Sequence, residues 1–261
     1  MRRGVCKSMV GTAALRCPDA AARRPYHNWF QNDSYGNIRR AIEFRFMIEM
    51  PKESDEYARP ARPPDTSNLT EVRDASRHCT ACHLHKRATQ TVFGEGPKSA
   101  SIMMVGEQPG DSEDVAGKPF VGPAGKIMDQ ALEEAGIDRS RVYVTNTVKH
   151  FKWEPRGKRR IHQKPNSREI AACRPWLEVE LRIVKPKLVV AMGATAAQTI
   201  SGAGFRVTRE RGKVLSSKLA PRVLATVHPS SLLRQPDEAS REREYRHFIA
   251  DLRAALRAAE E

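Results

Sequence analysis

The segment that decides the fold is IMMVGEQPG at residues 102–110. It begins with an apolar run of strand length, and a glycine and several polar residues follow directly. Further apolar runs rich in β-branched residues occupy positions 142–148, 188–192 and 223–227. Nearly continuous apolar character is typical of strands that are buried on both faces of a parallel sheet. Together these runs predict a four-stranded parallel sheet.

Helical patterns separate the strands and determine the class of fold. Apolar residues at helical spacing stop at Gly136, a residue type that favours the end of a helix. Asn166, followed three residues later by Glu169, is typical of a capping box that opens the next helix. Pro175 is expected to kink or restart that helix. The alternation of strands and helices predicts an α/β protein, a three-layer α/β/α sandwich around a central four-stranded parallel sheet.

Polar residues follow the ends of several predicted strands. Glu107 and Gln108 come after the first strand, Asn146 lies near the end of the second, and His228 follows the fourth. Ligands of open α/β sheets bind outside the carboxyl ends of the strands. We therefore expect a functional cleft at this edge of the sheet.

The chain is strongly basic, with 45 Lys and Arg against 31 Asp and Glu in 261 residues, a formal net charge of +14. No apolar run approaches the length of about eighteen residues that a membrane span requires. Interleaved charges and the periodic middle of the chain exclude disorder throughout. A basic protein favours an anionic partner such as nucleic acid. The excess is densest at residues 149–164, where seven Lys and Arg accompany one acid.

Three regions are predicted along the chain. Residues 1–49 form an N-terminal extension of uncertain role, either a flexible segment or sequence upstream of a true start at Met47 or Met50, with a weaker similarity to a transit peptide. Residues 50–70, rich in proline among charges, are predicted to be a linker. Residues 71–261 form the functional domain. We expect a monomer in a bacterial-type cytoplasm, with no membrane association.

Two motifs bear on cofactors. The glycine-rich stretch 117–125 precedes a helix but lacks the P-loop pattern, which argues against a nucleoside triphosphate site. Cys79 and Cys82 have the two-residue gap of a metal or cluster clip, and Cys173 and His150 are candidates for the remaining ligands. Zinc accepts three cysteines and one histidine, and iron–sulfur clusters bind through similar residues. The spacing leaves both metals open.

Five ordered motifs resemble those of the iron–sulfur uracil-DNA glycosylases, from Cys79 to the end of the chain. They lie at residues 106–110, 117–125, 144–149, 172–177 and 228–234. A sixth motif, KRRIH at residues 158–162, is similar to the diagnostic loop of the UdgX-type branch. Proteins of that branch excise uracil and then remain covalently attached to the DNA through the loop histidine.

The resemblance implies a 4Fe-4S cluster as cofactor. Most members of the family bind it through four cysteines, whereas the UdgX-type branch has a histidine at the third position. The implied ligands in this chain are Cys79, Cys82, His150 and Cys173. We expect a structural role for the cluster, in holding the loops that face DNA, because hydrolysis of a glycosidic bond needs no electron.

The resemblance also implies that the partner is uracil-containing DNA, single- or double-stranded. A uracil flipped out of the stack would lie on Phe120 and pair with Asn146, with Gly106 and Gln108 also in contact with the substrate. Cytosine would be rejected because its donor and acceptor pattern is reversed. His228 is expected to stabilise the departing base by donating a hydrogen bond.

His162 is the implied nucleophile that attacks C1′ of the deoxyribose. Glu107 is the candidate carboxylate that orients the imidazole and accepts its proton. Asp111 is expected to share the catalytic work with Glu107 on the water and sugar side of the pocket. Residues on both sides of the cleft are expected to contact the DNA backbone. They are Lys158, Arg159, Arg160, Ser230, Ser231 and Arg234.

Two alternatives accompany this prediction. The first is an ordinary multiple-turnover uracil-DNA glycosylase that releases a free abasic site, with the basic loop only binding DNA. The second belongs to another class, a non-catalytic iron–sulfur protein that binds nucleic acid without cutting it. Incubation of the protein with uracil-containing DNA, followed by a denaturing gel, distinguishes these three functions.

Overall fold

The computed structural model describes residues 58–261, so the predicted extension of residues 1–49 and the start of the linker lie outside the described part. The strands are β1 (Ile102–Gly106), β2 (Val142–Asn146), β3 (Trp153–Arg156), β4 (Arg159–His162), β5 (Leu188–Met192), β6 (Val214–Leu215) and β7 (Val223–Thr226). The helices are α1 (Leu69–Ser76), α2 (Asp111–Ala116), α3 (Pro123–Ala135), α4 (Ser167–Val184), α5 (Ala194–Ser201), α6 (Val207–Glu210) and α7 (Glu238–Glu260). Within residues 58–261, no helix has both the length and the apolar character needed to cross a bilayer.

The central sheet has five strands in the order β2-β1-β5-β7-β6. The four predicted strands are present and parallel, with Ile102 of β1 opposite Val142 on one side and Leu188 on the other. The additional strand β6 pairs with the edge of β7 in the antiparallel direction. Both of its residues are exposed. A strand of this length has no periodicity from which it could be predicted.

Alternating side chains along the strands build a core on each face of the sheet. On one face, Met104 and Val190 pack against α3 and α7. On the other face, Met103 and Val189 pack against α4 and α5. All four side chains are fully buried. The predicted α/β/α sandwich with a central, mostly parallel sheet is confirmed.

Two predicted helix termini have the expected geometry. Helix α3 is followed by Gly136, whose φ of 79° is the left-handed conformation that glycine adopts without strain. At the start of α4, the side chain of Asn166 accepts from the N–H of Glu169 at 2.9 Å. The Glu169 carboxylate accepts from the N–H of Asn166 at 2.7 Å. The capping box is therefore confirmed.

The expected restart of helix α4 at Pro175 is wrong, because α4 runs through this proline as one helix. Proline has no backbone N–H, so the helix lacks one hydrogen-bond donor at this position. A neighbouring segment supplies a backbone N–H close by. The carbonyl of Ala172, in the turn before the proline, accepts from the N–H of Ala61 at 2.8 Å. The N–H of Arg59 likewise bonds to the carbonyl of Ala81. The described end of the predicted linker thus packs against the segments that carry the cysteines.

The basic segment predicted as a loop contains an antiparallel hairpin, β3–β4, that is not part of the central sheet. Trp153 lies opposite His162, and Arg156 lies opposite Arg159. The turn includes Gly157 with a φ of 59°, as tight hairpin turns require. Charged residues on both faces hide the alternation that would otherwise predict these strands. The hairpin presents His162 at the end of its second strand.

Candidate active site

A cavity of about 720 Å³ opens at the carboxyl ends of the parallel strands. Its wall combines residues that follow β1, β2, β5 and β7 with residues of the hairpin end. Nine of the predicted site residues share this wall: Glu107, Gln108, Phe120, Asn146, His162, His228, Ser230, Ser231 and Arg234. The sheet therefore brings together residues that are far apart in sequence.

Gly106, at the end of β1, lies against three side chains of the cavity wall. A Cβ atom at this position would lie 2.3 Å from Asn146 Oδ1, 2.8 Å from the ring of Phe120 and 3.4 Å from His228 Nε2. Glycine therefore leaves room for three side chains to meet. Asn146 is 2% exposed, and its Oδ1 has no hydrogen-bond partner among the described residues. A buried acceptor of this kind is available to a donor from a bound ligand or a water molecule.

The ring of Phe120 is held in place by an unusual backbone conformation. Phe120 has a φ of 58°, which is rare for a bulky residue. A Cβ on Gly125 would lie 1.7 Å from the Phe120 carbonyl oxygen, so the turn requires glycine there. Glu113 accepts from the N–H of Gly122 at 2.7 Å and ties the loop to α2. The ring stacks against that of His228, with centroids 6.0 Å apart.

His228 presents a neutral hydrogen-bond donor to the cavity. Its Nδ1 accepts from the N–H of Ser230 at 3.2 Å, so the ring proton is on Nε2, the nitrogen that faces Gly106. Burial lowers the pKa of His228 to about 4, and the nearby charges of Arg234 and His162 act in the same direction. The imidazole is therefore uncharged at neutral pH.

His162 lies beside Glu107, with 3.4 Å between its Nε2 and the carboxylate Oε1. The hydroxyl of Thr195 donates to the other carboxylate oxygen and fixes its orientation. Burial lowers the pKa of His162 although the carboxylate of Glu107 opposes the shift. The side chain is 49% exposed, and its ring lies 6.2 Å from that of Phe151. A neutral imidazole at the opening of a cavity is a competent nucleophile.

Gln108 fastens the base of the hairpin. Its amide nitrogen donates to the carbonyls of Lys152 at 3.2 Å and Gln163 at 3.0 Å. Its amide oxygen accepts from the N–H of Lys152 at 3.0 Å. The amide predicted to contact substrate is thus engaged in holding both ends of the hairpin.

Arg160 ties the second hairpin strand to α2. Its guanidinium donates to the fully buried carboxylate of Asp114 at 2.6 Å and also pairs with Asp111. The guanidinium also lies 5.5 Å from the ring centres of Phe151 and Trp153. Asp111 is therefore placed at this ion pair and not in the cavity wall, where a catalytic role was predicted for it. The charge predicted to contact phosphate is already paired with two carboxylates.

The other residues predicted to contact DNA lie at two places. Lys158 and Arg159 are exposed at the tip of the hairpin. Ser230 and Arg234 lie in the cavity wall, where Arg234 donates to the Ser230 hydroxyl at 3.1 Å. The hydroxyl of Ser231 donates to the backbone carbonyl of the residue three positions before it. Contacts of these groups with a DNA backbone stay a prediction.

The three predicted cysteine ligands lie together, with Cys173 on α4 and the other two in the segment before β1. Cys79, Cys82 and Cys173 are free thiols that belong to one apolar cluster. The backbone N–H of Lys149 donates to the sulfur of Cys173 at 3.1 Å, and the indole N–H of Trp176 donates to that of Cys79 at 3.2 Å. Such N–H donors stabilise negative charge on sulfur ligands.

His150, the fourth predicted ligand, is 5% exposed. Burial lowers its pKa to about 4, so the imidazole is neutral, which is the form that binds metals. In the part of the chain from residue 58 onward, no group of three potential ligands is arranged to hold one metal ion. Three thiols and one neutral imidazole are donors that suit either a zinc ion or an iron–sulfur cluster.

A buried ion pair behind the cavity was not predicted. Lys149 Nζ lies 2.6 Å from Glu180 Oε2, with side chains 1% and 0% exposed. The same ammonium donates to the backbone carbonyl of Asn146 at 2.8 Å and so supports the base end of the cavity. An acid on the apolar face of a helix is the signal that could have indicated a buried partner. No comparable sequence signal distinguishes Thr195.

The fold and the cavity define a class of protein, an α/β sandwich with a cavity suited to a planar polar ring and lined by groups that can act on a bound ligand. A family model described as the uracil DNA glycosylase superfamily matches residues 93–253. The chain therefore belongs to the uracil-DNA glycosylase superfamily.

Individual relatives agree with this assignment. The chain is 40% identical over 164 residues to a Type-4 uracil-DNA glycosylase of Thermotoga maritima, a match that covers 62% of this chain and 82% of the relative. It is 35% identical over 176 residues to the Type-4 uracil-DNA glycosylase of Pyrobaculum aerophilum, covering 65% and 86%. A Type-4 uracil-DNA glycosylase of Sulfurisphaera tokodaii is 36% identical over 178 residues, covering 65% and 78%.

Proposed function

We propose that this protein excises uracil from DNA and then binds covalently to the resulting sugar through His162. The observation that carries the proposal is the cavity, whose wall contains His162 and Glu107 together with Asn146 and His228. The names of the relatives support uracil excision. The resemblance of residues 158–162 to the loop of the UdgX-type branch supports the covalent step.

Recognition of the base relies on Asn146 and Phe120. A uracil that has left the DNA stack lies on the Phe120 ring, and the unpaired Oδ1 of Asn146 accepts from its N3–H. The amide nitrogen of Asn146 donates to O4 of the base. Cytosine has no proton on N3 and carries an amino group in place of O4. It would therefore leave buried polar groups unpaired, which is the strongest way to reject a close analogue.

Cleavage is assisted by His228. The C1′–N1 bond breaks so that its electron pair leaves with uracil, which becomes an anion, while the sugar becomes a cation resembling an oxocarbenium ion. The Nε2–H of His228 donates to O2 of the leaving base and stabilises its negative charge without transferring the proton. A donor placed in this way typically contributes about 10²- to 10³-fold to the rate.

Capture of the sugar uses His162 and Glu107. A lone pair on one imidazole nitrogen forms a bond with C1′, and the ring becomes positively charged. The proton on the other nitrogen then passes to the carboxylate of Glu107, whose second oxygen is held by Thr195. The product is a neutral alkylated imidazole, which is a poor leaving group, so the enzyme acts once.

An ordinary multiple-turnover glycosylase is the second candidate function. The names of the relatives favour it, because each is called a uracil-DNA glycosylase without reference to a covalent product. In that mechanism the carboxylate of Glu107 orients a water molecule that attacks C1′. His162 then only lines the cavity.

We propose in addition that Cys79, Cys82, His150 and Cys173 hold a 4Fe-4S cluster. When bound, the cluster would link three parts of the chain: the segment that contains Cys79 and Cys82, the residues after β2, and helix α4. The N–H donors to two of the sulfurs and the buried neutral imidazole support this set. Purified protein should be brown and contain iron and acid-labile sulfide in equal amounts. A colourless, active protein that contains zinc would refute the assignment.

The experiment that tests the function combines uracil-containing single-stranded DNA with the protein, followed by a denaturing gel. The unmodified protein should give a protein–DNA band that survives denaturation. His162→Ala should release uracil without forming the band, whereas His247→Ala, a change at an exposed histidine on α7, should behave as the unmodified protein does. A protein–DNA band with His162→Ala would refute the assignment of His162 as the nucleophile. Release of many uracils per protein would identify the ordinary glycosylase, and intact uracil-DNA would identify a non-catalytic binder.

The wider assignment follows from the same proposal. The partner is uracil-containing DNA, single- or double-stranded, and the protein acts as a monomer in a bacterial-type cytoplasm. Residues 71–261 form the glycosylase domain, preceded by the linker of residues 50–70. Deletion of residues 1–49 should therefore leave uracil release unchanged, and a loss of release would show that the extension contributes to the active protein.

A further inference from the structure

Trp153 has a central position among the contacts of the hairpin. It is the residue directly opposite His162 in the register of β3 and β4. Its indole N–H donates to the backbone carbonyl of Arg87 at 3.0 Å. The guanidinium of Arg87 lies 4.7 Å from the centre of the indole, and that of Arg160 lies 5.5 Å away. The indole is therefore in contact with two cations and donates one hydrogen bond.

Arg87 belongs to the segment that carries Cys79 and Cys82. It follows the short 3-10 turn His83–Lys86, which begins directly after Cys82. Its own N–H closes that turn by bonding to the carbonyl of Leu84 at 3.2 Å. The residue that holds Trp153 is thus fixed to the cysteine segment and has no place in the cavity wall. The indole joins two parts of the molecule that are separate in sequence.

The hairpin needs such support because two strands alone are marginally stable in water. Most of its residues are exposed, and it makes no strand pairing with the central sheet. Gln108 holds its base, and Arg160 holds the second strand. The contacts of Trp153 with Arg87 hold the first strand, at the residue that lies opposite His162.

We propose that Trp153 is a positioning residue, through which the Cys79–Arg87 segment sets the placement of His162 for capture of the sugar. The inference rests on the proposed function, since it concerns the covalent step. The proposal distinguishes two activities of the same cavity, uracil release and covalent capture of the sugar. Uracil release depends on residues at the ends of the sheet strands, whereas capture also depends on the hairpin.

The test compares Trp153→Ala and Trp153→Phe with the matched control Glu154→Ala, a change at an exposed neighbour on the same strand. Single-turnover reactions with uracil-DNA yield two quantities, the rate of uracil release and the fraction of released sites that become covalent adduct. Hydrogen exchange of the amides at residues 153–162 is measured on the free proteins. Misfolded protein lowers release and adduct together, so their ratio reports positioning alone.

Trp153→Ala should keep uracil release within about twofold of the control and lower the adduct fraction by about tenfold, as expected for a misplaced reacting group. Its hairpin amides should exchange faster than those of the control. Trp153→Phe should restore part of the adduct fraction because the ring still contacts both guanidinium groups. An unchanged adduct fraction, or equal losses of release and adduct, would overturn the proposal. If the unmodified protein forms no adduct, the proposed function fails and the role of Trp153 in capture fails with it. Faster exchange in Trp153→Ala would then show only that the indole holds the hairpin.

Discussion

Replacement of Lys149 by Met tests the buried ion pair behind the base-binding end of the cavity. The ammonium donates to Glu180 and Thr145 at 2.6 Å and to the Asn146 carbonyl at 2.8 Å. Glu180 also accepts from the N–H of Gly94 at 2.9 Å. Lys149→Met removes the cation that pairs with Glu180 and leaves a carboxylate at 0% exposure with only neutral hydrogen-bond donors.

The expected loss of stability is large because a buried charge remains without its partner. Breaking such a pair costs about 3–5 kcal/mol, which in a domain of this size lowers the melting temperature by roughly 6–20 °C. The double variant Lys149→Met/Glu180→Gln removes both charges and should recover a substantial part of this loss. Uracil release by the folded fraction should also decrease, because the carbonyl of Asn146 loses its donor.

Thermal and denaturant unfolding of the full chain provide the measurement. Lys158→Met serves as the control, since this lysine is exposed at the hairpin tip and its replacement should change stability by less than about 0.5 kcal/mol. The reasoning is refuted if Lys149→Met is as stable as this control. It is equally refuted if the double variant is as unstable as the sum of both single changes.

Three further predictions concern the cavity and its rim. His228→Ala should slow uracil release by about 10²- to 10³-fold. Because burial lowers the pKa of His228 to about 4, its imidazole stays neutral from pH 8 to pH 6, and the contribution of this donor to the rate should change only as the pH approaches 4. A change at pH 6.5 that is lost in His228→Ala would contradict a neutral donor. Gly106→Ala should lower the single-turnover rate of uracil release by about a hundredfold, because the added methyl displaces Asn146 while the fold is retained in circular dichroism. Lys158→Ala should reduce the slope of log affinity for DNA against log salt concentration by about one, and an unchanged slope would place that lysine away from the phosphates.

The sequence contained enough information to predict the sheet and the members of its polar edge. Four apolar runs separated by helical patterns allow few arrangements other than a parallel sheet, and such a sheet places Glu107, Asn146 and His228 at one edge. Their positions in one cavity wall follow from the fold class, without knowledge of any individual contact.

The roles of Gln108 and Arg160 could not be predicted in the same way. Both residues hold the hairpin, through backbone carbonyls in one case and through Asp111 and Asp114 in the other. These contacts depend on where the hairpin packs, and its charged residues carry no periodic signal for strands. A residue type alone indicates that a group can bind phosphate or substrate, but it does not show that the group is already occupied within the protein.

The hairpin does not pair with the central sheet, and this has a consequence for how such proteins diversify. The residues proposed to select the base lie around the ends of the sheet strands, whereas His162, the proposed nucleophile, lies on a ribbon of ten residues from Trp153 to His162. If His162 captures the sugar as proposed, exchange of that ribbon should change an enzyme that traps itself on DNA into one that turns over, while the base-binding residues stay in place. On that proposal, the ribbon is the part to transplant when a new uracil-tagging protein is designed.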